Sequence, residues 1–174
     1  MGFKAKTCVR YNDTGHAHCL TFSCCQRLPL LRDPRACQVL IDSLAAARTR
    51  HEFDLWAYVI MPEHVHVVLC PRRSSYSIST ILAAIKRPAA YRLGGEKPAG
   101  LPHYWQPGGG YDRNLFKVQT VYREIEYLHA NPVRRGLCQA PEQWRFSSAG
   151  FWLEQQNVPL EMDTTLPPRL SGAS

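Results

Sequence analysis

The chain lacks any apolar run long enough to span a bilayer, which takes about 20 consecutive residues, so no membrane partner is expected. Acidic side chains are scarce as well. Fourteen Asp and Glu face 21 Lys and Arg, leaving a net charge of +7 over 174 residues. That balance disfavours cationic partners and favours a polyanion, of which nucleic acid is the commonest. The opening Met1-Gly2-Phe3-Lys4-Ala5-Lys6 carries positive charge but no apolar core of a secretory signal. A cytoplasmic, nucleoid-associated protein is therefore expected. No repeat recurs along the chain, which excludes solenoids and arrays. Seven cysteines are present (Cys8, Cys19, Cys24, Cys25, Cys37, Cys70 and Cys138), yet no C-x-x-C spacing. The spacing of Cys19, Cys24 and Cys25 is poor for zinc, and reduced thiols acting as small hydrophobes are expected instead.

What is present suits one globular domain. A hydrophobic fraction of 45% can fill a core, placed over residues 1–150, with a poorly ordered Pro-rich tail over 151–174. His18 to Cys24 alternates like a strand. Asp33-Pro34 is a helix start, an N-cap acid before a proline, and the helix runs to about Arg48 with Cys37, Leu40, Ile41, Leu44 and Ala45 on its apolar stripe. Phe53 to Ile60 and His64 to Cys70 read as strands joined by a short connection, hence antiparallel neighbours. Ser77 to Leu93 reads as a helix that Pro88 should kink or end near Arg87. Gly94 to Gly110 is a loop. A last helix, about Val118 to Ala130, is closed by Asn131-Pro132. This order predicts an α+β fold, a ferredoxin-like antiparallel β-sheet with helices packed on one face.

Two features carry chemistry. In Met61-Pro62-Glu63-His64-Val65-His66-Val67-Val68-Leu69, strand alternation points His64 and His66 the same way, with Val68 behind them. Such a pair is either strand packing or half of a metal site. In the last helix, Val118, Val121, Tyr122, Ile125, Leu128 and His129 form one stripe, which makes Tyr122 and His129 structural. Tyr127 falls nearly opposite, beside Arg123, and one turn from Asn131. The plain alternative is an exposed or edge-packed tyrosine. A cation held by two imidazoles and an amide, with a tyrosine one turn away, is a Lewis acid beside a nucleophile.

These residues resemble the HUH single-tyrosine transposases, most closely their REP-associated tyrosine transposase branch. Four blocks carry the likeness in order. They are Met61 to His66; Trp105-Gln106 with Gly110-Tyr111-Asp112-Arg113; Glu126 to Leu137 around Tyr127; and Trp144-Arg145-Phe146-Ser147-Ser148. The resemblance spans about Thr21 to Ala149. It implies a ferredoxin-like fold, Tyr127 as nucleophile, and His64, His66 and Asn131 binding Mg²⁺ or Mn²⁺. It also implies attack on single-stranded DNA that leaves a 5′-phosphotyrosine and a free 3′-hydroxyl, with palindromic hairpin DNA as substrate. A monomer is expected, a homodimer being the arrangement of related transposases.

Two departures from the branch concern the helix interrupted by Pro88 and the run Gly108-Gly109-Gly110, which loosens the placement of Tyr111 and Asp112. Tyr111 is the alternative nucleophile, disfavoured because nothing metal-binding lies at a fixed spacing from it. Arg87, Arg92, Arg113, Arg123, Arg134 and Arg135 are candidate phosphate contacts, and Trp105 could stack on a base or pack onto the domain. Three functional readings follow: a nicking and joining enzyme, a hairpin-binding module without cleavage, and a nuclease that activates water at His64 and His66.

Overall fold

Strand β1 (Ala17–Ser23) alternates as expected, in a computed structural model that describes residues 10–154 and 157–167. Cys8 and the charged first residues lie outside the described residues. Helix α1 (Pro34–His51) starts where the cap predicts, with the Asp33 carboxylate accepting from the Arg35 N–H at 2.8 Å. It runs to His51 and stops at Glu52, whose φ of 52° turns the chain out of the helix. Strands β2 (Phe53–Ile60) and β3 (His64–Pro71) form an antiparallel pair. Their connection is closed by Met61 N–H donating to the His64 carbonyl at 2.8 Å.

Helix α2 (Ile78–Leu93) does not end at Arg87. Pro88 removes one bond to the Ala84 carbonyl, but Ala89 and Leu93 beyond it are buried, and their packing keeps the helix going. One strand escaped the sequence reading. Strand β4 (Tyr111–Leu115) pairs antiparallel with β1. Its polar Tyr-Asp-Arg-Asn run has no apolar alternation, because β4 is an edge strand whose first four residues are only partly covered. The sheet order is β2-β3-β1-β4, the ferredoxin-like arrangement of a β-α-β-β-α-β chain.

Helix α3 (Val118–His129) is followed almost at once by a short α4 (Asn131–Arg134). Helix α3 thus closes at His129, with Ala130 as its C-cap, where Asn131-Pro132 is expected to end it. Ala130 keeps helical angles (φ −73°, ψ −10°), and Pro132 sits in the first turn of α4, where a missing N–H costs nothing. Helices α1 and α2 cover one face of the sheet, packing on Leu20, Phe22, Val65, Val67 and Leu69. Helix α3 lies on the other, with Val121, Ile125 and Leu128 against Cys19, Ala57, Val59 and Val68. The single helical face expected from sequence therefore describes α1 and α2, and α3 adds a second.

The tail expected to be loose is docked where it is described. The boundary at 150 cuts through helix α5 (Ala149–Glu154), and residues 157–167 run along β2. That strand is an edge in the sheet order yet buried along its whole length. The covering bonds come from the C-terminal part: Ile60 N–H to the Phe146 carbonyl, Ser148 N–H to the Tyr58 carbonyl, and Asp163 N–H to the Leu55 carbonyl. Met162 and Leu166 are buried. A Pro-rich segment needs no core of its own when an open strand edge supplies its hydrogen bonds. Cys19, Cys24, Cys25 and Cys37 are buried free thiols, and among the described residues no three His, Cys, Asp or Glu cluster as a metal site.

Candidate active site

Strand alternation places His64 and His66 on the α3 face of β3, with Val68, while Val65, Val67 and Leu69 enter the opposite core. Their Nε2 atoms lie 3.0 Å apart, the rings edge to face at 88°. The outer nitrogens are each tied down. His64 Nδ1 lies 3.1 Å from Glu63 Oε1, and His66 Nδ1 lies 2.7 Å from Thr21 Oγ1. An ionised carboxylate only accepts, so His64 carries its proton on Nδ1 and keeps the Nε2 lone pair for the shared space. Thr21 and Glu63 were not singled out from sequence. The available signals were the place of Thr21 on the same face of β1 and of Glu63 directly before the pair.

Burial holds both imidazoles below the ordinary histidine value. In His64 it outweighs the opposing pull of Glu63. In His66, burial first, then the neighbouring His64 and Arg134, push the ring down to about 3. Both are therefore neutral near pH 7 and available as ligands. Asn131 completes the group, its Nδ2 lying 3.0 Å from His66 Nε2. Turning this amide over about its last torsion would present Oδ1 instead. Two imidazole nitrogens and an amide oxygen fit a divalent cation, with positions left for water or substrate oxygens.

Tyr127 stands beside this group without joining it. It is 54% exposed, and its hydroxyl takes part in no hydrogen bond among the described residues. The stripe of Val121, Ile125 and Leu128 is buried, so Tyr127 is turned to solvent. Two contacts from Arg134 hold it: the guanidinium lies 4.1 Å from the ring centroid, and Nη2 donates to the Tyr127 carbonyl at 2.5 Å. Ala130 N–H bonds Glu126 O and Arg135 N–H bonds Asn131 O, both at 3.0 Å. Tyr127, near the end of α3, and Asn131, the first residue of α4, thus lie four residues apart across the turn at Ala130. His129 is structural as expected, buried with Nε2 2.8 Å from Ser148 Oγ.

The register also corrects the argument against Tyr111. Thr21 pairs with His66 on one side and with Tyr111 on the other, so the three form a row across the sheet face that carries the two histidines. Tyr111 is 57% exposed. Its placement is firm, because Gly110 (φ +72°) packs its Cα against the Thr21 carbonyl, where any Cβ would collide. Asp112 is buried on the other face, 2.9 Å from His18 Nδ1 and 3.6 Å from Arg10 Nε.

The six candidate DNA contacts divide by environment. Arg113 pairs with Glu124, Arg134 stacks on Tyr127, and Arg135 reaches Glu63 at 2.9 Å. Arg87 and Arg123 are exposed. Trp105 is no stacking platform. It is 6% exposed, packs edge to face on Phe22 and donates Nε1–H to the Lys86 carbonyl at 2.8 Å. Arg92, the further arginine considered, pairs with Asp42 at 3.2 Å.

Comparison with known proteins identifies the fold and the family. A REP-associated tyrosine transposase of Escherichia coli (strain K12) is 22% identical over 111 residues, 64% of this chain and 63% of that protein. The chain thus matches less than two thirds of the length of that relative. A solved structure of a REP-associated tyrosine transposase bound to a REP hairpin superposes with a TM-score of 0.72 at 20% identity. The superposition covers 94% of this chain and 98% of that one, and it shows the shared fold. The sequence model of the family described as "Transposase IS200 like" matches residues 13–127, a range that contains His64, His66 and Tyr127 and stops short of Asn131. The chain belongs to the IS200-like transposase family.

Proposed function

We propose that this protein is a single-stranded DNA endonuclease and strand transferase that nicks hairpin-forming repetitive palindromic DNA through Tyr127. The observation that carries this reading is the convergence of His64 Nε2, His66 Nε2 and Asn131, four residues along the chain from an exposed tyrosine. In the reaction, the Tyr127 phenol oxygen attacks the scissile phosphorus and the bond to the 3′ oxygen breaks. The phenol proton passes to solvent, the 3′ oxygen takes one up, and the strand stays attached as a 5′-phosphotyrosine. A second 3′-hydroxyl reverses the same exchange and frees the tyrosine, so the ester energy is conserved. Mg²⁺ or Mn²⁺ bound by His64, His66 and Asn131 would polarise the phosphate as a Lewis acid. Glu63 and Thr21 keep both Nε2 lone pairs turned inward, and Arg134 fixes the Tyr127 ring and brings positive charge beside the attacked phosphate.

The hairpin substrate is taken over from the structural neighbour, which was solved with a REP hairpin. One chain carries all four residues, which supports a monomeric working unit, to be checked by light scattering. The test of the reaction is a covalent adduct. Wild-type protein incubated with hairpin DNA and Mn²⁺ should run as a protein–DNA species on a denaturing gel. The species should be absent from Tyr127→Phe and present in Tyr111→Phe. An adduct lost only in Tyr111→Phe would move the nucleophile to β4. Cleavage that survives both changes would mean water attack, and binding without cleavage in the wild type would mean a binding module.

A further inference from the structure

The groups assigned to the cation stand on two different elements, and their own chemistry does not hold these together. His64 and His66 belong to β3, whereas Asn131 opens α4. The two Nε2 atoms meet at 3.0 Å with their lone pairs facing, and Asn131 would add a carbonyl oxygen on turning over. Acceptors gathered around one centre repel each other. The approach of α4 to β3 therefore has to be stabilised from outside the group.

Arg135 stands where such a tether is needed. Its Nη2 lies 2.9 Å from Glu63 Oε1, and the same oxygen lies 3.1 Å from His64 Nδ1. Its backbone N–H donates to the Asn131 carbonyl at 3.0 Å. With Asn131 Nδ2 3.0 Å from His66 Nε2 and the two imidazoles in contact, these links close into a ring. The ring runs Arg135, Glu63, His64, His66, Asn131 and back to Arg135. Glu63 lines a cavity of about 340 Å³ together with Arg27, Arg32 and Arg135, yet among the described residues Arg135 is the guanidinium that pairs with it. The carboxylate is nearly buried and the Arg135 side chain half exposed.

We propose that Arg135 is a positioning residue of the cation site: through Glu63 it fixes α4 against β3, so that Asn131 and the two imidazoles face one centre. The role rests on the reading of His64, His66 and Asn131 as cation ligands, and it replaces the phosphate contact expected of Arg135 from sequence. Its sign separates it from plain electrostatics. A guanidinium beside a cation site repels an incoming divalent ion, so charge alone makes Mn²⁺ bind more tightly once Arg135 is removed. Positioning makes it bind more weakly, because the ligands on α4 and β3 lose their common centre.

The test is calorimetric titration of Mn²⁺ into the metal-free full-length protein. Arg135→Gln should weaken binding roughly tenfold, and Arg135→Lys, which keeps the charge, should recover most of that loss. Arg32→Gln removes an exposed charge from the same cavity without touching Glu63, and should leave affinity unchanged or slightly higher. Glu63→Gln keeps an acceptor for His64 but no charge for Arg135. In that background Arg135→Gln should have no further effect, since both changes break one link. Added KCl should narrow the gap between wild type and Arg135→Gln, because salt screens a half-exposed pair. Unchanged or tighter binding in Arg135→Gln would overturn the proposal, as would an equal further loss in the Glu63→Gln background. So would a loss of metal-free hairpin binding with Mn²⁺ affinity intact, which would make Arg135 a phosphate contact after all. The covalent adduct is scored separately. An adduct from a wild type that gives no Mn²⁺ isotherm would keep the nicking reaction and remove the positioning role. The Arg135→Gln loss without any wild-type adduct would do the reverse.

Discussion

Acid should destabilise this protein by about 3 kcal/mol through His129 alone. The ring is 4% exposed, at the end of α3, with Nε2 2.8 Å from Ser148 Oγ. That hydroxyl is already committed, accepting from the Tyr58 N–H at 2.9 Å. Burial pushes the imidazole from the ordinary 6.5 down to about 4. Between these two pH values the unfolded chain binds a proton that the folded chain refuses, so unfolding is favoured as pH falls. The stabilisation is whole above pH 6.5, declines through the window, and has vanished below pH 4. At 1.36 kcal/mol per pH unit, the gap is worth about 3 kcal/mol. His66 and His64 act in the same direction, so the contribution of His129 is read as a difference. Urea titrations with a chelator present, on wild type and His129→Gln, should give stabilities that converge as pH drops from 7 to 4. Parallel curves would refute the reasoning and mean that His129 titrates normally in the folded state.

Other consequences are checked more briefly. Thr21→Val keeps the shape but removes the partner of His66 Nδ1, and should weaken Mn²⁺ binding by about 10- to 100-fold in calorimetry; unchanged affinity would mean that the bond does not orient the ring. Trp105→Ala should cost about 3–5 kcal/mol in denaturant unfolding, because the indole is core; a loss below 1 kcal/mol would restore it to the surface. Removing residues 157–174 uncovers the β2 edge along Leu55 and should produce concentration-dependent association in size-exclusion chromatography, whereas a monodisperse truncated protein would show that Phe146 and Ser148 suffice to cover it.

What could be read from the sequence was what depends on neighbours along the chain. Asp33-Pro34 announced α1, and the alternation around His64 and His66 announced their shared face. The 3.6-residue stripe of α3 put His129 inside and Tyr127 outside. Elements held by distant partners were not legible. β4 is polar because it is an edge, and only its pairing with β1 marks it as a strand. Residues 157–167 look like a loose tail because their order comes from the open side of β2. Trp105 follows a Gly- and Pro-rich stretch, yet its bridge to Cys24 and its bond to Lys86 draw it into the core. Pro88 and Pro132 were both read by local steric rules: α2 runs on through Pro88 because Ala89 and Leu93 beyond it are buried, whereas α3 does end before Asn131-Pro132.

The two tyrosines show where that boundary runs through the site. Distance along the chain favoured Tyr127, four residues from Asn131, and gave Tyr111 nothing to act with. Distance across the sheet does the reverse for Tyr111, since β1 places Thr21 between it and His66. Neighbouring strands are about 4.8 Å apart, so the backbones of Tyr111 and His66 are separated by roughly 10 Å. What then favours Tyr127 is its support. Arg134 lies over its ring and bonds its carbonyl, and Arg134 belongs to the same short helix α4 as Asn131, so Tyr127 is tied directly to the element that carries Asn131. Tyr111 shares only the sheet with the histidines, and among the described residues no cation lies over its ring. The proposed phosphoryl transfer needs the nucleophile and the groups around the phosphate fixed relative to one another, and the contacts of Arg134 with the Tyr127 ring and carbonyl supply that link between the end of α3 and the helix that begins at Asn131.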